Sequence, residues 1–126
     1  MSSPKALWAI ANRYRPRGIK VTWREAGLTP AHADKPKKHI LSPRPDTPIG
    51  LQYFLHECAH IILDHWSNEM ELYEEEYEAE QWAISTLRRH GIRVSKAMLK
   101  DAKDNVRSYI TPETKVRPHI KRWLKD

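Results

Sequence analysis

Residues 51–65, LQYFLHECAHIILDH, contain the pattern that decides how this chain folds. Apolar side chains recur there every three or four residues, which predicts a buried helix over residues 49–65. This helix carries His56, Glu57 and His60 in an H-E-x-x-H arrangement. Histidines four residues apart lie on one helix face about 6 Å apart, so both can bind one metal ion. Burying two histidines and a glutamate without a partner is costly, which favours a metal site over core packing.

The glutamate of this arrangement indicates hydrolytic chemistry. Glu57 follows the first ligand directly and can reach a water bound to a zinc ion. It would act as general base, while Zn²⁺ lowers the pKa of the water and polarises a substrate carbonyl. The motif therefore predicts a zinc enzyme with Glu57 as its catalytic residue.

A catalytic zinc site of this kind needs a third protein ligand. The extended motif H-E-x-x-H-x-x-G-x-x-H is absent, because Leu63 and Trp66 occupy its last two defined positions. An acidic segment that follows, predicted to be a helix over residues 71–90, supplies carboxylates instead.

Helical phase distinguishes these carboxylates. At about 100° per residue, Glu76 lies at the centre of the apolar stripe, Glu80 about 40° away and Glu78 about 200° away. A carboxylate facing the core needs a cation, so we expect Glu76 to bind the metal. Glu80 is expected to accept the free N–H of a ligand histidine. The same phase directs Glu78 towards water.

Residues 55–65, LHECAHIILDH, followed by residues 76–83, EYEAEQWA, resemble the ImmA/IrrE family of zinc metallopeptidases. That family shows H-E-[LI]-G-H-x-x-L-H and then E-x-E-A-[ND]-x-F-A, and the similarity extends over residues 38–87. It implies a minimal zincin-like (gluzincin-like) α+β fold, mostly helical, with a small twisted sheet packed on the H-E-x-x-H helix. Both Glu76 and Glu78 belong to the family pattern, so the resemblance leaves Glu78 open as an alternative ligand. Glu80 and Trp82 depart from the family's Asn/Asp and Phe.

The resemblance also implies a function. Members hydrolyse a peptide bond, often in a DNA-bound repressor or regulator of bacterial or mobile-element circuits. The predicted strand over residues 38–42 would be an edge strand, where His39, Ile40 and Leu41 pair with an extended substrate peptide.

The remaining sequence predicts a single domain over residues 1–126, with a core at residues 38–90 and a basic helical part at residues 95–126. Further predicted helices run from Pro4 to Tyr14, from Ser95 to about residue 110 and over residues 117–125. Alternation around Val21 predicts a first short strand, and residues 29–37 are predicted to form a loop.

Charge is strongly segregated along the chain. Residues 1–44 carry +8, residues 45–87 carry −10 and residues 88–126 carry +8. Basic flanks suggest a DNA or acidic partner, although a solvated surface whose charges pair across the fold explains them as well.

One cysteine excludes a disulfide framework or a cysteine-rich zinc site, and no apolar run is long enough for a membrane span. We therefore expect a cytoplasmic protein.

Two classes of function remain open. The first is a zinc metallopeptidase acting on a specific intracellular protein. The second is a metal-stabilised nucleic-acid- or protein-binding factor, from a phage or other mobile element, that acts without proteolysis. A purely structural metal site has no need of Glu57, so the intact motif favours the enzyme.

Overall fold

The computed structural model describes residues 2–25, 31–67 and 69–125. In these residues the fold is α+β, with five helices and one three-stranded mixed sheet, which confirms a mostly helical fold with a small sheet. The elements in chain order are α1 (Pro4–Tyr14), β1 (Lys20–Arg24), β2 (His32–Asp34), β3 (His39–Pro43), α2 (Pro48–Ile62), α3 (Leu72–Arg89), α4 (Lys96–Arg107) and α5 (Pro118–Lys125).

The sheet has the strand order β1-β3-β2, so β3 is its central strand. The prediction that residues 38–42 form an edge strand for substrate pairing is therefore wrong. β3 is parallel to β1 and antiparallel to β2, and Ile40 is aligned with a residue on each side. His39 and Leu41 also have partners in both neighbouring strands. Both sides of β3 are occupied within the sheet, and a substrate strand has no edge there to join.

The strand that overturns this prediction is β2. It falls within the predicted loop over residues 29–37, of which residues 29 and 30 lie outside the described residues. β2 has three residues, too few for alternation to be recognised in the sequence. A turn over residues 35–38, with Lys38 at φ 51°, returns the chain from β2 into β3.

The start of α2 is fixed by its first residues. The Thr47 side chain accepts a hydrogen bond from the Gly50 N–H, and Pro48 occupies the first turn, where no N–H is needed. A Cβ on Gly50 would lie 2.4 Å from the Arg44 carbonyl oxygen. Glycine therefore lets the helix approach the loop that leaves β3.

The end of α2 differs from the prediction and brings a histidine back to the helix. The helix ends at Ile62 rather than at residue 65, because Asp64 adopts the left-handed conformation, with φ 57°. The Asp64 and His65 N–H groups then donate to the carbonyls of Ile61 and His60, which is a Schellman motif. Aspartate tolerates this conformation better than most residues. The motif turns His65 towards the last turn of α2.

Two apolar clusters hold the elements together. The larger one joins α1, the sheet, α2 and α3, and the smaller one joins α3, α4 and α5 around Tyr73, Val106 and Ile120. Cys58, inside the H-E-x-x-H motif, is fully buried in the larger cluster. None of the helices in the described residues combines the length and apolar character needed to cross a membrane.

The remaining helix boundaries follow from their caps. Ser3 caps α1 and Ser95 caps α4, and each side chain accepts a hydrogen bond from a backbone N–H. α3 ends before Gly91, which has φ 75°. α4 ends at Arg107 instead of near residue 110, because the next residues form tight turns.

Candidate metal centre

The two motif histidines face each other in the interior, one turn apart on α2. Their Nε2 atoms lie 3.0 Å apart, and the rings are nearly perpendicular, at 85°. His56 is 7% exposed and His60 9%. His56, Glu57 and His60 each offer one ligand atom within 4.8 Å of the others, and this buried group could hold a metal ion.

Glu76 of α3 closes the third side of this arrangement. Its two carboxylate oxygens lie 3.0 Å from His56 Nε2 and 2.9 Å from His60 Nε2. Burial would raise the pKa of Glu76, but hydrogen bonds with the two histidines hold it well below its ordinary value. The Asn105 amide, from α4, donates to Glu76 at 2.9 Å and fixes the carboxylate from behind.

These donor atoms fit a small divalent cation. Two ligands at about 2.0 Å from one tetrahedral ion are about 3.3 Å apart, close to the separations among His56, His60 and Glu76. Without a cation, both Nε2 atoms must carry a proton to donate to the Glu76 carboxylate, which places two N–H groups 3.0 Å from each other. Both Nε2 atoms lie against one carboxylate, and such a buried group could hold a metal ion.

Glu80 supports His56 from the opposite side of the ring. Its Oε1 lies 3.1 Å from His56 Nδ1, within ion-pair distance. Asn105 donates to its other oxygen at 3.1 Å. Burial lowers the pKa of His56, but Glu80 and Glu76 outweigh this effect and keep it well above the ordinary value. A proton held at Nδ1 leaves Nε2 free to bind a metal.

His60 has its own chain of partners behind the ring. Its Nδ1 lies 2.7 Å from His65 Nδ1, and His65 Nε2 lies 3.0 Å from Glu78 Oε1. If His65 donates to the Glu78 carboxylate, its Nδ1 can accept the His60 Nδ1–H, and His60 Nε2 becomes free for a metal. Glu78, kept open as an alternative ligand, therefore contacts the site through His65, and its side chain is 43% exposed.

Glu57 lies beside the histidines and is 7% exposed. Burial raises its pKa to about 7; His56 and His32 oppose this rise, while Glu76 and Glu80 add to it. A carboxylate with this pKa can both take and return a proton near neutral pH.

Except for Glu78, all of these groups line one cleft of about 1060 Å³. Its floor is α2, and its walls are β2 on one side and α3 with α4 on the other. The lining residues that the structure describes include no Lys or Arg. Six carboxylates line the cleft: Glu57, Glu75, Glu76, Glu80, Asp101 and Asp104. Glu75 is 9% exposed, and burial raises its pKa against the opposing effect of His65 and His60. Tyr109 also lines the cleft; burial and the nearby Glu76 and Glu57 raise its pKa.

Sequence reasoning did not assign a role to Asn105 or to the link between His65 and Glu78. For Asn105 a signal existed, since its phase on α4 is about 20° from that of buried Met98, at the edge of the stripe that Met98 forms with Ala102 and Val106. For His65 the contact depends on the left-handed Asp64, which periodicity does not reveal.

Comparison of the chain with protein-family models, with curated proteins and with solved structures finds no match. The resemblance of residues 55–65 and 76–83 to ImmA/IrrE metallopeptidases therefore stays a prediction.

Proposed function

We propose that this protein is a zinc-dependent metalloendopeptidase of the ImmA/IrrE type, which hydrolyses a peptide bond in a specific protein such as a DNA-bound regulator. The observation that supports this most is the convergence of His56, His60 and Glu76 within 3.0 Å, with Glu57 beside them, in an open cleft. A structural zinc site would close with a fourth protein ligand, whereas a catalytic site leaves one position open.

Zinc is the metal that this ligand set favours. Two imidazole nitrogens and one carboxylate in a compact cluster match catalytic zinc centres, while magnesium and calcium prefer oxygen ligands. When bound, zinc supplies Lewis acidity, which polarises a carbonyl and lowers the pKa of water.

Glu57 performs the proton transfers in this proposal. With a pKa of about 7, it accepts a proton from the attacking water and then delivers it to the amine that leaves. Glu80 and His65 keep the two histidines in the tautomers that bind metal through Nε2. Tyr109 lines the same cleft, and its hydroxyl is proposed to donate to a developing oxyanion.

The substrate backbone is proposed to pair with β2. This strand is at the edge of the sheet, and its residues His32 and Ala33 line the cleft beside the metal centre. An extended peptide added there would continue the sheet and cross the cleft above α2.

The test distinguishes the proposed role of Glu57 as a base from the roles of the metal ligands. Zinc-loaded Glu57→Gln protein should keep its zinc and its melting temperature, because the substitution removes a base and no ligand, while hydrolysis falls by about 10²-fold or more. The readout is cleavage of a degenerate peptide library, or of co-expressed repressors, followed by mass spectrometry. Unchanged hydrolysis in Glu57→Gln would refute the assignment.

A second candidate is a metal-stabilised factor that binds DNA or a protein without cleaving it. The observation in its favour is the exposed basic surface of α5, where Lys121, Arg122 and Lys125 all face solvent. A biological effect that survives Glu57→Gln undiminished would support this candidate over the peptidase.

A further inference from the structure

The part of the cleft beside His60 is lined by two exposed apolar side chains and by a carboxylate of α3. Trp66, from the turn after α2, is 43% exposed, and Leu72, at the start of α3, is 64% exposed. Both line the cleft, and the Trp66 ring centre lies 6.3 Å from that of His60. Trp66 therefore borders the metal centre, and Leu72 exposes a second apolar surface in the same cleft.

Glu75 lies next to Leu72 on the same face of α3, three residues further on. It lines the cleft, yet it is nine-tenths buried. In the described part of the chain, no hydrogen bond or ion pair reaches its carboxylate. The neighbouring Glu74 differs, because it pairs with Arg117 at 2.9 Å. Because its oxygens are not among the buried atoms that lack a hydrogen-bond partner, they open to the cleft, where a cationic group of a ligand can reach them.

We propose that Trp66, Leu72 and Glu75 form a subsite for a lysine or arginine side chain of the peptide substrate. This inference rests on the proposed peptidase function and names its substrate class. The aliphatic stem of Lys or Arg packs on the two apolar side chains, and its charged end reaches the Glu75 carboxylate. The indole of Trp66 adds a cation–π contact.

The charge of the cleft supports a cationic substrate. Asp104 already pairs with Lys100 and Arg107, and a divalent ion offsets two of the five remaining carboxylate charges, so the metal-loaded cleft still attracts positive groups. The chain as a whole carries +6, and the surface outside the cleft is therefore more basic than the total suggests. The cleft and the outer surface thus select partners of opposite charge, and a basic segment of a DNA-binding protein suits the cleft.

The test uses a degenerate heptapeptide library containing Lys, Arg, norleucine and Glu at each varied position. Peptides are captured on zinc-loaded Glu57→Gln protein, which binds without cleaving, and are sequenced as a pool. Lys and Arg should be enriched over norleucine by about tenfold at one position. Adding Glu75→Gln should abolish the enrichment, whereas Glu71→Gln, an exposed glutamate outside the cleft, should retain it. No enrichment, or enrichment that survives Glu75→Gln, would overturn the subsite.

Two controls keep this result separate from the proposed function. Zinc content is measured in each variant, and loss of zinc in Glu75→Gln would assign Glu75 to the metal centre and overturn the subsite. The same library is also incubated with zinc-loaded protein that retains Glu57. Glu75-dependent enrichment without hydrolysis supports the subsite and contradicts the peptidase. Hydrolysis without a preference for Lys or Arg supports the peptidase and contradicts the subsite.

Discussion

Replacing the α3 glutamates one at a time should weaken zinc binding in the order Glu76, Glu80, Glu78. Glu76 contacts both histidine Nε2 atoms, at 3.0 and 2.9 Å. Glu80 contacts the site behind His56, at 3.1 Å from Nδ1. Glu78 is further from the metal site by one side chain than Glu80, because His65 lies between Glu78 and His60. The order follows from the number of side chains between each carboxylate and the ion.

The magnitudes follow from the same contacts. Losing a partner behind a metal-bound histidine lowers affinity by about 10- to 100-fold, and we expect this for Glu80→Ala. Glu76→Ala removes a ligand itself and should exceed about 100-fold. Glu78→Ala should cost at most about tenfold, since its side chain is 43% exposed and water can replace it as the acceptor for His65.

Zinc affinity is measured by competition with a chromophoric chelator at one pH, and thermal melting of each metal-free variant shows whether it folds. Glu71→Ala is the matched control, because it removes an exposed glutamate just before α3. Should Glu78→Ala empty the site while Glu76→Ala leaves it filled, the placement of α3 against α2 would be wrong. Equal losses for all three variants would show that total negative charge, and not direct contact, determines affinity.

Three further outcomes are expected. The pKa of His56 is raised in the metal-free protein, so zinc must displace a proton when it binds. Calorimetry in buffers of different ionisation enthalpy should show proton release at pH 7. The affinity for zinc should fall as the pH falls. Finding no proton release would contradict the raised pKa. If α5 binds DNA, affinity should drop steeply with salt, and charge reversal at Lys121, Arg122 and Lys125 should flatten that dependence in a filter-binding assay; salt-insensitive binding would argue against it. Gly50→Ala should lower the free energy of unfolding by roughly 1–3 kcal/mol, since the added Cβ would lie 2.4 Å from the Arg44 carbonyl oxygen. Urea denaturation measures this loss, and an unchanged midpoint would contradict the close contact.

The helices could be predicted from the sequence because their signals are local. Ser3 and Pro4 mark the start of α1, and Ser95 caps α4, as their side-chain hydrogen bonds show. Phase along α3 placed Glu76 and Glu80 on one face, and both carboxylates lie in the cleft. Each of these inferences needs only the chain within a few turns of the residue concerned.

The sheet could not be predicted to the same extent, because strand order depends on residues far apart. β3 shows alternation that suits either an edge or a central position, and only the short β2 decides between them. The support of the site is non-local too: Asn105 lies 29 residues beyond Glu76 in the chain. His65 reaches His60 only through the left-handed turn at Asp64.

Charge segregation in the sequence has two causes in the structure, and a count of charges cannot separate them. Some acids of residues 45–87 pair with the basic flanks at the surface: Asp64 with Lys35, and Glu74 with Arg117. Glu76 instead faces the histidines of the cleft. Helical phase distinguishes the two groups on α3, because Glu74 lies about 160° around the helix from Glu76. A solvated, ion-paired surface and an acidic cleft therefore coexist in one short segment, and the direction of each side chain decides to which it belongs.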